Sequence, residues 1–171
     1  MHILDTERLR LRTLAPGDAP FYLQVVNEPA FIEFIGDRGI RTVDAARQAI
    51  ADGPVAMQAT LGHSLYMVER KQDGAPIGMC GLIKRETLPG VDIGYAFLPQ
   101  YGGKGYATEA AAGVLAYAAG LGIRRVLAIT SPANAASNAV LKKVGMRFEE
   151  MVYLTPDDPG TMLFSYDCRG A

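Results

Sequence analysis

Hydrophobic and polar residues alternate in several short segments of the chain, and this alternation is typical of half-buried β-strands. In residues 8–14 the leucines fall on one face of an extended segment and mostly arginines on the other. The same reasoning, with turn residues at 72–74, predicts further strands over residues 64–70, 75–84, 91–98, 125–130, 148–154 and 162–166.

Four segments between these strands predict helices, namely residues 19–27, 43–51, 106–119 and 134–144. Gly53 and Pro54 are expected to end the second helix, and Gly145 is expected to end the fourth. The element order β-α-α-β-β-β-α-β-α-β-β predicts an α/β (α+β) domain, in which helices pack against a mixed sheet. A chain of 171 residues fits one domain, which we expect to span residues 1–171.

Composition and charge argue against several classes of protein, among them disordered, nucleic-acid-binding and membrane-spanning proteins. With 49% apolar and 20% charged residues the chain differs from disordered proteins, and a net charge of −1 argues against nucleic-acid binding. Acidic residues near the N-terminus argue against a signal peptide, and the longest uncharged stretch, residues 110–123, is too short to cross a membrane. Two cysteines are too few for a disulfide framework, and two isolated histidines predict no metal site. We therefore expect a cytoplasmic protein.

Glycine accounts for 19 of the 171 residues, and four of these lie between Gly94 and Gly105. Here a predicted strand runs into a glycine-rich turn that opens directly into a helix. The first turn of a helix has free N–H groups, and glycine lets a phosphate approach the backbone closely. The NTPase phosphate loop is excluded because Lys104 is followed by glycine, and the dinucleotide fingerprint is excluded because its third glycine would fall on Thr108. A simple tight turn is the structural alternative.

The pattern that remains, Gln100-x-x-Gly103-x-Gly105, resembles the acetyl-CoA pyrophosphate loop of the GNAT superfamily of N-acetyltransferases. More narrowly, residues 6–12, 93–95 and 103–110 resemble the branch of ribosomal-protein N-terminal acetyltransferases. The resemblance implies the GNAT fold, a twisted, mostly antiparallel sheet flanked by about four helices and splayed between the fourth and fifth predicted strands. It also implies that acetyl-CoA is bound by the strand end, the loop and the helices that follow, through Ala96, Phe97, Leu98, Tyr101, Gly102, Gly103, Lys104, Gly105, Tyr106, Ala107, Asn134 and Asn138.

A second motif lies in the helix over residues 134–144, where Asn134, Ser137 and Asn138 share one face. Asn134 alone is equally explained as a helix N-cap. By resemblance, Asn134 faces the pantetheine arm and Ser137 protonates the departing thiolate. Many members of the superfamily use a tyrosine four positions after this serine, but Leu141 stands there, so Tyr101 and Tyr153 are alternative acids.

Acetyl transfer to an amine also needs a proton acceptor, and Asp92 is the first candidate, although a structural carboxylate is at least as good an explanation. The backbone N–H groups of residues 96–98 are expected to bind the thioester carbonyl oxygen. On an unbroken strand Asp92, Gly94 and Ala96 share one face, but a bulge would change that.

The sequence thus predicts an acetyl-CoA-dependent N-acetyltransferase that acts by direct attack on a primary amine, either a protein N-terminal α-amine or a small-molecule amine. The alternative is a non-catalytic domain that binds or senses acyl-CoA on the same fold. Glu28, Glu33 and Asp37 would attract a cationic amine, unless they are only solvated surface groups. We expect no nucleic-acid or membrane partner and leave a homodimer open.

Overall fold

Eight β-strands form one sheet in the computed structural model of this protein, which describes residues 1–168. The sheet order is β1-β2-β3-β4-β5-β6-β8-β7, and all neighbouring strands are antiparallel except β5 and β6. The strands are β1 (His2–Asp5), β2 (Leu9–Thr13), β3 (Leu65–Arg70), β4 (Pro76–Lys84), β5 (Val91–Phe97), β6 (Arg125–Thr130), β7 (Arg147–Val152) and β8 (Thr161–Asp167).

Helices cover both faces of the sheet. The described residues contain six α-helices: α1 (Ala19–Val26), α2 (Pro29–Phe34), α3 (Val43–Ile50), α4 (Ala56–Leu61), α5 (Tyr106–Gly120) and α6 (Ala135–Lys143). On one face α5 and α6 pack against the sheet, where Ala110, Val114 and Leu141 are buried. On the other face α1 and α3 pack over Met67 and Met79.

Four elements depart from the sequence prediction. The edge strand β1 and the short helices α2 and α4 were not predicted, and Gly53 and Pro54 do not end the second predicted helix. A π-helical turn over Ala51–Val55 instead joins α3 to α4. The wider π turn accommodates Pro54, which has no N–H to donate to the preceding turn.

The sheet is splayed at the point that the resemblance implies, between β5 and β6. These two strands are paired only at Asp92 and Leu127, after which they diverge. By contrast, β5 stays paired with β4 from Val91 to Phe97 without a register shift. The β4–β5 pairing therefore keeps strict alternation along β5, with Asp92, Gly94 and Ala96 on one face.

Candidate active site

The glycine-rich loop and the N-terminus of α5 form an exposed site suited to an anion. Gly103 and Gly105 have φ angles of +73° and +81°, in the left-handed region that favours glycine. Gly105 is the N-cap of α5, and no side chain caps the helix there. The first N–H groups of this 15-residue helix are therefore free to bind a negatively charged group.

Glu109, in the first turn of α5, connects this loop to the turn between β1 and β2 through hydrogen bonds with Thr6 and Arg8. Its carboxylate accepts hydrogen bonds from the backbone N–H of Arg8 at 2.8 Å and from Arg8 Nε at 2.6 Å, and Thr6 Oγ1 also donates to it. Arg8 Nη1 donates to the carbonyl oxygen of Lys104 at 2.9 Å. Burial by itself raises the pKa of Glu109, but hydrogen bonds from Thr6 and Arg8 lower it below its ordinary value.

Glu109→Ala is expected to lower the free energy of unfolding by about 2 kcal/mol, because it removes a carboxylate that accepts several hydrogen bonds. Urea denaturation followed by circular dichroism measures this change. Glu86→Ala removes an exposed glutamate between β4 and β5 and should change stability by less than about 0.5 kcal/mol. Equal stabilities of the two variants would show that Glu109 is not an anchor.

Where β5 and β6 separate, they leave a cavity of about 370 Å³. Its walls come from both strands, from α6, from α2, which contributes Phe31, and from Glu28, the residue that precedes α2. Among the candidate residues named from the sequence, those that line it are Glu28, Ala96, Phe97, Ala107, Asn134 and Ser137.

Ser137 and Tyr95 meet across this cavity. The hydroxyl oxygens of the two residues are 2.7 Å apart, and Tyr95 Oη also lies 3.3 Å from the carbonyl oxygen of Ser137. Burial raises the pKa of Tyr95 to about 12, although the hydrogen bond to Ser137 acts in the opposite direction. Tyr95 therefore stays protonated at neutral pH and can donate its proton to Ser137 Oγ, which leaves the Ser137 proton free for a ligand.

Asn134 is both the N-cap of α6 and a residue of the cavity wall. Its Oδ1 accepts a hydrogen bond from the N–H of Ser137 at 3.2 Å, so Asn134 caps α6. The same residue also lines the cavity. The cap fixes the first turn of α6 and thereby the position of Ser137.

Backbone hydrogen bonds decide which N–H groups of β5 are available to a ligand. The N–H of Leu98 donates to the carbonyl oxygen of Ile77 at 3.0 Å, so the expectation that it binds a thioester needs correction. Because an antiparallel pair uses every second residue, Ala96 also pairs with β4, while the N–H groups of Tyr95 and Phe97 point toward the β6 side. Of the three predicted amides, Phe97 is the one directed into the splay.

Asp92 is placed behind the cavity rather than on its surface. Its side chain is fully buried, and Arg85 Nε lies 3.1 and 3.3 Å from its two carboxylate oxygens. Burial raises the pKa of Asp92 to about 6, and the positive charge of Arg85 offsets only part of this effect. Arg85, and not Asp92, lines the cavity.

Other predicted residues lie away from the cavity lining. Asn138 accepts a hydrogen bond from Thr130 Oγ1 at 2.5 Å and its Nδ2 is 3.4 Å from the carbonyl oxygen of Ser131, so it ties α6 to the end of β6. Neither of the two alternative acids lines the cavity: Tyr101 packs under Arg70, and Tyr153 is 67% exposed. Tyr106 is buried beneath Arg8, whereas the loop residues Gly102, Gly103, Lys104 and Gly105 are exposed beside the cavity.

Within residues 1–168, His, Cys, Asp and Glu side chains form no group of three or more that could hold a metal ion. In the same range, no helix has the length and apolarity needed to cross a membrane.

Comparison with known proteins identifies the family. The family model described as "Acetyltransferase (GNAT) domain" matches residues 8–147. An uncharacterized protein of Bacillus subtilis, YkkB, is 30% identical over 155 residues, which cover 87% of each chain. The structure of an acetyltransferase from Agrobacterium tumefaciens is 26% identical, with a TM-score of 0.79 over 95% of this chain and 92% of that chain.

The fold is also that of RimL, a ribosomal α-N-protein acetyltransferase solved in complex with coenzyme A. RimL is 19% identical, with a TM-score of 0.83 over 98% of both chains. The glycine-rich loop, the splayed strands and the matched residues agree with one another. The chain belongs to the GNAT family of acetyltransferases, which are acetyl-CoA-dependent acyltransferases.

Proposed function

We propose that this protein transfers the acetyl group of acetyl-CoA directly to a primary amine, in a complex that holds both substrates at once. The observation that carries this proposal is the hydrogen-bonded pair of Ser137 and Tyr95, which lies in the splay between β5 and β6. Pro99 and Ala107, which flank the glycine-rich loop in the sequence, line the same cavity as Ser137. Protein N-terminal α-amines and small-molecule amines are the proposed acceptors.

The residues present fit acetyl-CoA. Gly103 and Gly105 keep the N-terminus of α5 open to a pyrophosphate, and Lys104 adds a positive charge beside it. Asn134 and the walls of β5 and β6 would hold the pantetheine arm. When bound there, acetyl-CoA supplies the acetyl group as a thioester whose thiol is a good leaving group.

In the overall reaction a C–N bond forms, the C–S bond breaks, one proton leaves the amine and one proton reaches the sulfur. Ser137 gives the proton to the sulfur, because its hydroxyl lines the cavity and lies 2.7 Å from Tyr95 Oη, from which it can accept a hydrogen bond. The N–H of Phe97 donates to the acetyl oxygen, where negative charge develops. Tyr95 acts through Ser137 and is a positioning residue.

Glu28 is the residue that we propose to accept the amine proton. Among residues 1–168, it is the one carboxylate that lines the cavity. Asp92 is the acid that the sequence favoured, and its burial behind Arg85 supports a different role, which is to hold the guanidinium of Arg85 in place. Two isosteric substitutions separate these roles.

Glu28→Gln is expected to lower kcat about 100-fold at pH 8, whereas Asp92→Asn should lower it less than about 10-fold. The logarithm of kcat/KM for the acceptor should rise with slope 1 as the amine loses its proton. Around pH 6, where Asp92 becomes protonated and its ion pair with Arg85 is lost, the profile should show a break, an additional fall of less than about 10-fold, before it returns to slope 1. Asp92→Asn should abolish this break. A 100-fold loss of kcat in Asp92→Asn at pH 8 would instead identify Asp92 as the base.

The proposed function is tested with a panel of N-terminal peptides and small amines, in which the initial rate of coenzyme A release is measured. At least one acceptor should give release that depends on its concentration, and Ser137→Ala should suppress it while coenzyme A still binds. Binding of coenzyme A without release for any acceptor would favour the alternative of a non-catalytic acyl-CoA-binding domain.

A further inference from the structure

A second cavity, of about 290 Å³, adjoins the first on the side of α1 and α4. The two cavities share Phe31, Ile35, Arg85, Gly94, Tyr95 and Ala96. Most of the second cavity is apolar, with walls from Met57, Met79 and Ile83. If acetyl-CoA occupies the splay, as proposed above, this second cavity is the space from which an acceptor reaches the thioester.

The charged residues that line the second cavity are all positive. They are Arg38, Lys84 and Arg85, and within residues 1–168 no aspartate or glutamate lines it. This distribution differs from the sequence expectation that acidic residues attract a cationic amine. Glu28 lines only the first cavity, and Asp37 is bound by Arg41 Nη2 at 2.7 and 2.9 Å.

Arg85 lines both cavities, and its guanidinium is oriented in a way that suits a planar anion. Its Nε is held by the buried carboxylate of Asp92, while Nη1 and Nη2 have no hydrogen-bond partner among the described residues. The Arg85 side chain is 32% exposed, so a ligand can reach it. A guanidinium fixed at one nitrogen presents a pre-organised fork that matches a carboxylate.

The other two cations are arranged around the same space. Lys84 Nζ donates to the carbonyl oxygens of Arg85 and Leu88, both at 2.9 Å, which orients the ammonium beside Arg85. Arg38 is exposed, with Cζ 5.9 Å from the centre of the Phe31 ring. The positive charge therefore extends from Arg85 to the opening of the second cavity.

We propose that the second cavity binds the acceptor and selects amines that carry a carboxylate close to the reacting nitrogen, with Arg85 as the carboxylate-binding residue. This inference rests on the proposed N-acetyltransferase function and names the class of its acceptor. An acidic residue in the first positions of a peptide, or a small amino acid, would supply the group. A lysine-rich N-terminus would place like charges together in the cavity.

The test uses tripeptide amides that differ only in whether the second or third residue is aspartate, asparagine or lysine. With the intact protein, kcat/KM for the best aspartate peptide should exceed that of its asparagine counterpart at least about 10-fold, and the lysine peptide should be poorest. A single amino acid and its amide extend the comparison to small acceptors. Equal rates across the charge series would overturn the inference but leave the acetyltransferase function standing, whereas no turnover with any acceptor would count against the function itself.

The role of Arg85 is tested through the ratio of the aspartate to the asparagine rate. Arg85→Gln should reduce this ratio to about 1. Because this change leaves Asp92 buried without a partner, the double variant Arg85→Gln with Asp92→Asn provides a second measurement in which no charge is left unpaired. Arg47→Gln, the same change at an exposed arginine on α3 outside both cavities, should keep the ratio of the unmodified protein. A ratio that survives in both Arg85 variants would exclude Arg85 as the carboxylate-binding residue.

Discussion

Gly105→Val is expected to raise the dissociation constant for coenzyme A at least about 100-fold. Gly105 has a φ angle of +81°, which a β-branched residue adopts only with strain, so the loop would have to change shape. An added β-carbon would also lie 3.4 Å from Arg8 Nη2, whose guanidinium holds the Lys104 carbonyl. Either change turns the first N–H groups of α5 away from the pyrophosphate.

Isothermal titration with coenzyme A measures this effect, and thermal unfolding checks that the variant is folded. Gly120→Val provides the matched control, because Gly120 ends the same helix and an added β-carbon there meets no atom within 4 Å outside the neighbouring backbone of that helix. The control should bind coenzyme A within about threefold of the unmodified protein. Equal binding by the two variants would show that the loop is only a tight turn.

Ser137→Ala is expected to lower kcat by about 100-fold or more while the dissociation constant for acetyl-CoA changes less than about threefold. The substitution removes the hydroxyl that lines the cavity and that we propose protonates the thiolate, and general acid groups commonly contribute a factor of this size. Tyr95→Phe should lower kcat about 10-fold, because Ser137 keeps its proton but loses the neighbouring hydroxyl that orients it. Pre-steady-state rates with saturating substrates measure both effects.

The two substitutions should not be additive. Since Tyr95 acts through Ser137, the double variant Ser137→Ala with Tyr95→Phe should have about the same kcat as Ser137→Ala alone. Tyr117→Phe, which removes a hydroxyl from α5 outside the cavity, should leave kcat unchanged. Additive losses would mean that Tyr95 has a separate function, and a parallel loss of acetyl-CoA binding would mean that Ser137 is a binding residue.

Much of the fold can be predicted from the sequence, because the periodicity of hydrophobic residues indicates strands and helices and glycines mark some of their ends. The order of the strands from β2 to β8 and the presence of α1, α3, α5 and α6 follow from periodicity, and Gly103 and Gly105 mark the α5 N-terminus, whereas the short helices α2 and α4 were not predicted. β1 was not predicted because it has only four residues. The π turn at Ala51–Val55 was not predicted because Gly and Pro usually end helices, and here tertiary packing overrides that local preference.

The candidate site was less predictable, because it depends on which atoms meet across the sheet. Asn134 and Ser137 line the cavity, but the pairing of Tyr95 with Ser137 joins residues 42 positions apart in the sequence. The alternation of side chains along β5 indicated that Asp92 and Ala96 lie on the same face of an unbroken strand. It did not reveal that Arg85 covers the carboxylate of Asp92. Likewise, the availability of the Leu98 amide depends on the hydrogen-bond register with β4, which a single sequence does not contain.

Direct transfer of the acetyl group from acetyl-CoA to the amine is tested most directly by a single turnover followed by mass spectrometry. Enzyme and acetyl-CoA are present at equal concentration, and the acceptor is an aspartate-containing peptide amide. We predict that the acetyl group appears on the peptide amine in step with coenzyme A release, and that the protein itself gains no acetyl group with or without the acceptor. Loss of acetyl-CoA with acetylation of the protein, or no acetyl peptide from a protein that binds coenzyme A, would contradict direct transfer in the cavity between β5 and β6.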